Sequence, residues 1–198
     1  MKIDDIITAI SKEYKEVYLH SEIIPEAYCE NIENVKAIVL GCDPSNPRKE
    51  TFNKAFGLDI NMKYFGNIKN NLETIGLDKS NVYIDNLCKN YFTVETSKNK
   101  YWVEIADKYW IPYLKDELDK LFSKTVPVFA TADILLKALC YKGCYNTKNN
   151  DLYYKECKYI EPNQNKLGRK IIPLFRNGNY QLKKWLNYVN FVKKEILK

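Results

Sequence analysis

The sequence predicts an α/β fold: three layers, with helices on both faces of a central, mostly parallel four-stranded sheet. Three observations carry this reading. Short β-branched runs at 35–40, 82–84, 126–130 and 170–174 each end in a loop or at a Gly or Pro. Segments with helical apolar spacing lie between them, the arrangement that strand–helix–strand units need. The chain of 198 residues, 45% hydrophobic and 14% aromatic, is long and apolar enough for one domain (1–198) with its own core, without disulfide or metal.

The elements follow in order. Residues 1–34 form an N-terminal helical region, in which Ile3, Ile6, Ile7, Ile10, Tyr14 and Tyr18 mark an amphipathic helix over 3–19. The run 35–40 is a buried strand released at Gly41. A helix over 65–75 is stopped by Gly76, and the second strand follows at 82–84. Residues 101–122 are helical, with a kink or break at Pro112. The third strand, 126–130, leads into a helix capped by Thr131, with Asp133 in its positive first turn. Residues 143–168 are polar and Asn-rich, an irregular loop region. The fourth strand, 170–174, carries Pro173, which belongs at an edge or a strand end. A basic, aromatic-rich helix over 181–197 completes the chain.

Composition excludes several classes. No apolar run approaches the roughly 20 residues of a membrane span, and Asp4 and Asp5 stand where a signal peptide is apolar. Six irregularly spaced Cys, with no Cys-x-x-Cys pair, point to reduced thiols and a cytoplasmic protein. The net charge of +6 is uneven: residues 151–198 hold 11 Lys and Arg against four acids, whereas 1–150 hold 20 against 21. That basic quarter is either a solvated helix face or a surface that meets a polyanion.

In a parallel sheet ligands bind at the carboxyl ends of the strands, so three loops stand out. In Gly41-Cys42-Asp43-Pro44-Ser45-Asn46-Pro47, Pro44 holds Asp43 extended. The loop either merely ends the strand or presents the carboxylate stiffly enough to orient a water or a cation. Asn86, just past the second strand, either satisfies loop backbone or reads an amide edge with one donor and one acceptor. Leu174-Phe175-Arg176-Asn177-Gly178-Asn179-Tyr180 is a turn built on Asn-Gly, between the last strand and the basic helix.

Together these loops resemble the uracil-DNA glycosylase superfamily, of which the chain looks like a divergent member. Gly41-Cys42-Asp43-Pro44-Ser45 is similar to the family's first motif, G-Q-D-P-Y. The stretch from Ile75 to Lys89 is similar to the "iGLdredVYItNlvK" segment of the thermostable branch, whose Asn reads the base. The last motif, usually H-P-S, falls on Arg176-Asn177-Gly178, and the single His of the chain is His20, in the N-terminal region.

The resemblance implies a monomeric base-excision enzyme of DNA repair. It would flip uracil or a related damaged base out of DNA and hydrolyse its bond to C1′, with no metal or organic cofactor. Asp43 would orient water and stabilise the sugar cation, and Asn177 or Arg176 would donate where the family's His supports the leaving base. Asn86 would read the base within a pocket made by Gly41, Cys42, Pro44 and Ser45, and either Phe56 or Ile60 would stack on it. Arg176, Lys183 and Lys184 would contact phosphates, and Phe175 or Leu174 would serve as the wedge that fills the vacated stack. Ser45 stands where the uracil-specific branch has a methyl-excluding Tyr, which implies a more open pocket. The six Cys do not reproduce the four-Cys iron–sulfur spacing of the thermostable branch. The missing His supports an alternative: a non-catalytic member that binds nucleic acid, free bases or nucleotides.

Overall fold

A computed structural model describes residues 2–46, 48–60, 65–146 and 151–195. Pro47 of the first loop, residues 147–150 of the polar stretch and the predicted last residues of the final helix lie outside these. Helix α1 (Ile3–Glu13) buries Ile6 and Ile10. It is shorter than predicted because the chain turns at Tyr14, where the N–H groups of Val17 and Tyr18 both bond to the Tyr14 carbonyl. Strand β1 (Tyr18–Leu19) follows and pairs antiparallel with β4 (Tyr91–Phe92). Two-residue strands carry no periodicity, and the sequence gives no sign of this ribbon.

Strand β2 (Ala37–Gly41), helix α2 (Gly66–Thr74) and strand β3 (Val82–Asn86) fall where predicted. Gly76, at φ +83, takes the left-handed conformation that ends α2. Helix α3 (Trp102–Ile105) passes through a π-turn (Ala106–Trp110) into α4 (Ile111–Leu121). The break predicted at Pro112 takes this form: its ring would strike the carbonyl one turn back, and the wider π-turn immediately before it makes room.

Strand β5 (Val128–Ala130) leads to helix α5 (Asp133–Leu139). Thr131 does not cap that helix. Its hydroxyl donates to the Leu40 carbonyl at 2.8 Å and ties the ends of β2 and β5 together. The polar stretch contains a short helix α6 (Asp151–Lys155), whose Tyr153 and Tyr154 are buried; five residues are too few to show a helical period amid Asn and Lys. Strand β6 (Ile171–Pro173) ends at its Pro, at the edge of the sheet, as predicted. Helix α7 (Leu186–Glu195) follows two short 3₁₀ turns over 178–184.

The four central strands are all parallel, in the order β3-β2-β5-β6. Every residue of these four strands is buried. Successive side chains point to opposite faces, so both faces of the sheet are covered. A cluster of buried apolar side chains extends from Ile6 to Val192. Arg169 is fully buried beneath α4, where it donates to the carbonyls of Leu118, Phe122 and Ser123 and to the Asp119 carboxylate. It thereby satisfies carbonyls that the end of the helix leaves open. Among the described residues no helix is long and apolar enough to cross a membrane.

Candidate active site at the carboxyl edge of the sheet

The parallel register brings the strand ends level. Gly41 pairs with Asn86, and Ala130 with Pro173. Asp43 and Asn86 thus meet across the β2–β3 boundary and wall the same cavity, of about 30 Å³. Phe52 and Phe56 supply its aromatic wall, and the loop from Cys42 to Asn46, with Asn86, the rest.

Asn86 is 3% exposed, and its amide Nδ2 has no hydrogen-bond partner among the described residues. Buried amides are nearly always paired, so this donor stands ready for an acceptor. The Asn86 loop is held from behind. Asp85 Oδ1 accepts the Asn86 N–H at 2.8 Å, and Asp85 Oδ2 accepts Lys89 Nζ at 2.5 Å. Burial pulls the Lys89 ammonium down, but the Asp85 and Glu117 carboxylates outweigh it and hold its pKa above the ordinary value.

Asp43 is 9% exposed. Its Oδ1 accepts the Ser45 N–H at 2.9 Å. Its Oδ2 accepts the Thr96 hydroxyl at 2.6 Å and the Trp102 indole N–H at 2.8 Å. Burial raises the carboxyl pKa, and these donors oppose the rise without cancelling it. The Ser45 hydroxyl also accepts the Phe92 N–H at 2.7 Å, which pins the loop to β4. Burial pushes the thiols of Cys42 and Cys88 upward, so both are neutral apolar packing at ordinary pH.

Phe56 adopts φ 61°, a strained conformation for an aromatic residue, followed by Gly57 at φ 64°. This turn aims the Phe56 ring at Gly41 and sets it edge-on to Phe65, 5.6 Å between centroids. Ile60, the other stacking candidate, is 47% exposed and walls neither this cavity nor its neighbour.

That neighbour is a groove of about 580 Å³ that shares Cys42 and Ser45 with the small cavity. Glu95, Thr96, Lys137 and Arg176 wall it as well, which places Arg176 beside the small cavity.

The rest of the last loop departs from expectation. Phe175 is 3% exposed and packed against Tyr154 and Tyr180, with ring centroids at 5.9 and 5.2 Å. A ring clamped in an aromatic cluster is not free to act as a wedge, and neither is Leu174, which is fully buried. Asn177 is exposed. Its side-chain oxygen accepts the Asn179 N–H at 3.1 Å and caps a 3₁₀ turn, and it walls neither cavity. An Asn before Gly is favoured for such local capping, which removes Asn177 from the site. Lys183 and Lys184 are exposed beyond that turn and also wall neither cavity.

The basic quarter is partly neutralised within the fold. Lys155 pairs with Asp151, Lys158 with Glu156 and Lys166 with Asp107, while Arg169 is interior. Thr96, Trp102, Lys137 and Phe52 are site residues that the sequence did not disclose. No periodicity or motif marks them, because the fold alone brings them to the two strand ends. Among the described residues no group of three or more His, Cys, Asp or Glu is placed to hold a metal ion.

Set against known proteins, the chain matches no family model and no curated protein. The architecture is an α/β fold on a four-stranded parallel sheet with helices.

Proposed function

We propose that the chain is a uracil-DNA glycosylase-like hydrolase that releases uracil or a related damaged base from DNA. The observation that carries the reading is the meeting of Asp43 and Asn86 in one cavity, with the Asn86 amide donor unpartnered. The resemblance assigns these two residues to catalysis and base reading, and each comes from a different loop.

In this reading the base leaves the stack and enters between the aromatic wall and the Asn86 amide. Nδ2 donates to a base carbonyl, and Oδ1 accepts from the adjoining ring N–H. A cavity of about 30 Å³ holds on the order of one or two waters, so the aromatic wall must shift to admit a base. Asp43, ionised and held by its three protein donors, orients the water and stabilises the sugar cation as the bond breaks. Arg176 and Lys137 meet phosphates in the adjoining groove, and Lys183 and Lys184 add attraction at longer range. The shared wall at Ser45 leaves room beside the base for a substituent.

The test is incubation with single- and double-stranded DNA carrying uracil, then a panel of deaminated and alkylated bases, with alkaline scission at abasic sites. Base release is expected. Asp43→Asn should lower it about a hundredfold or more while DNA affinity stays within about twofold. No release from any substrate at high enzyme would overturn the reading.

A second reading, a non-catalytic binder of bases or nucleic acid, is favoured by one observation: Asn177 lies outside the cavity, where the family's motif has its His. Salt-dependent DNA binding without base release would select it.

A further inference from the structure

Asp43 is the most heavily engaged side chain at the site, and two of its three partners come from outside the motif that contains it. Thr96 belongs to the segment after β4 and Trp102 opens α3. A carboxylate oxygen offers two lone-pair directions. On Oδ2 both are taken, by the Thr96 O–H at 2.6 Å and the Trp102 N–H at 2.8 Å. Ser45, which walls both the cavity and the groove, serves Oδ1. Trp102 is fully buried, whereas Thr96 is half-buried and lines the groove itself.

We propose that Thr96 and Trp102 are positioning residues for Asp43: they fix Oδ2, keep the carboxyl ionised in a water-poor setting, and leave Oδ1 to act on whatever the cavity holds. This rests on the reading of Asp43 as the water-orienting group, but its physical content does not depend on base release. A buried carboxyl with no donors takes up a proton near neutral pH, and donors to the charged form oppose that. The other titratable groups that face Asp43 are the thiols of Cys42 and Cys88, both held neutral by burial. Glu95, Asp133, Lys137 and Arg176 are the charged groups that line the groove with Thr96. Because Thr96 also lines the groove, a strand bound there touches the residue that sets the state of Asp43.

The experiment is a titration of the Asp43 carboxyl carbon by NMR, assigned with Asp43→Asn, in wild type, Thr96→Val, Thr96→Ser and Trp102→Phe. Thr96→Val keeps the shape of the side chain and removes the hydroxyl. We expect it to raise the Asp43 pKa by about one unit, and Thr96→Ser to restore it. Trp102→Phe should raise it in the same direction. In base release, the acid limb of kcat should move by the same amount, with KM within about twofold. If the Asp43 titration is unmoved in Thr96→Val and in any folded Trp102→Phe, the positioning role is overturned, whether or not base is released. If the titration moves and wild type releases no base, the positioning role stands and the glycosylase reading falls.

Discussion

Gly41 and Asn86 face one another across the β2–β3 ladder, and a Cβ on Gly41 would stand 2.5 Å from the Asn86 amide oxygen. The same Cβ would stand 2.6 Å from the Phe56 ring. Glycine at this strand end is therefore what lets the amide and the ring close over the same spot. Gly41→Ala must push one or both aside. Overpacking of this kind costs about 1–3 kcal/mol. We expect a lower urea midpoint and a loss of base affinity larger than the stability change accounts for. An Ala variant that keeps both would show that neither group needs the space.

Asn86→Ala separates stability from recognition. It deletes a buried donor that the protein itself leaves unpaired, so the folded state should change by about 1 kcal/mol or less. Binding of uracil or uracil-containing DNA should fall about tenfold to a hundredfold, the worth of a hydrogen bond or two in a dry site. Calorimetry with the base and thermal melting read the two quantities independently. Equal loss in both would make Asn86 a packing residue.

The pH dependence of Asp43 has a definite sign. Burial, the leading cause, raises its folded pKa above the ordinary 3.8, against the pull of its hydrogen bonds. The stability this group contributes is thus fully present below 3.8 and lost as pH rises through the folded value. Asp119 has the opposite sign: hydrogen bonds from Lys115 and Arg169 outweigh its burial, so its contribution is lost as pH falls. The difference in urea midpoint between wild type and Asp43→Asn isolates the first effect. That difference should move against wild type as pH is raised from about 3.8 toward neutrality. A difference independent of pH would show that Asp43 titrates alike in the folded and unfolded chain.

Arg169→Leu tests the core away from the site. It removes the donors to the Leu118, Phe122 and Ser123 carbonyls and one of the cations on the Asp119 carboxylate, which keeps Lys115. Buried acceptors left without a donor cost about 1–3 kcal/mol each, so the loss is about 3–5 kcal/mol in all. For a chain of this size that lowers Tm by roughly 6–20 °C. Base binding per folded molecule should be unchanged, since Arg169 walls neither cavity. A Tm shift below about 2 °C would show that water replaces the guanidinium at the helix end.

Much of this protein was legible in the chain. The four central strands were marked by β-branched runs and their bounding Gly or Pro, because a strand buried on both faces must be apolar along its whole length. Asp43 and Asn86 were marked by their place just past such strands, since the carboxyl edge is where a parallel sheet leaves loops free. Gly76 and Pro112 announced their breaks through backbone sterics that act within a few residues.

What only tertiary structure decided are the partners. Thr96 and Trp102 reach Asp43 from 53 and 59 residues away, and no local pattern encodes a hydrogen bond across that distance. Position in a motif points to Phe175 and Asn177. Packing against Tyr154 buried the one, and an Asn-Gly turn engaged the other. The basic surplus was a count until ion pairs and the buried Arg169 absorbed part of it. Short-range sterics and hydrophobic period are written in the sequence; which donor meets which carboxylate is settled only when the sheet sets its edges level.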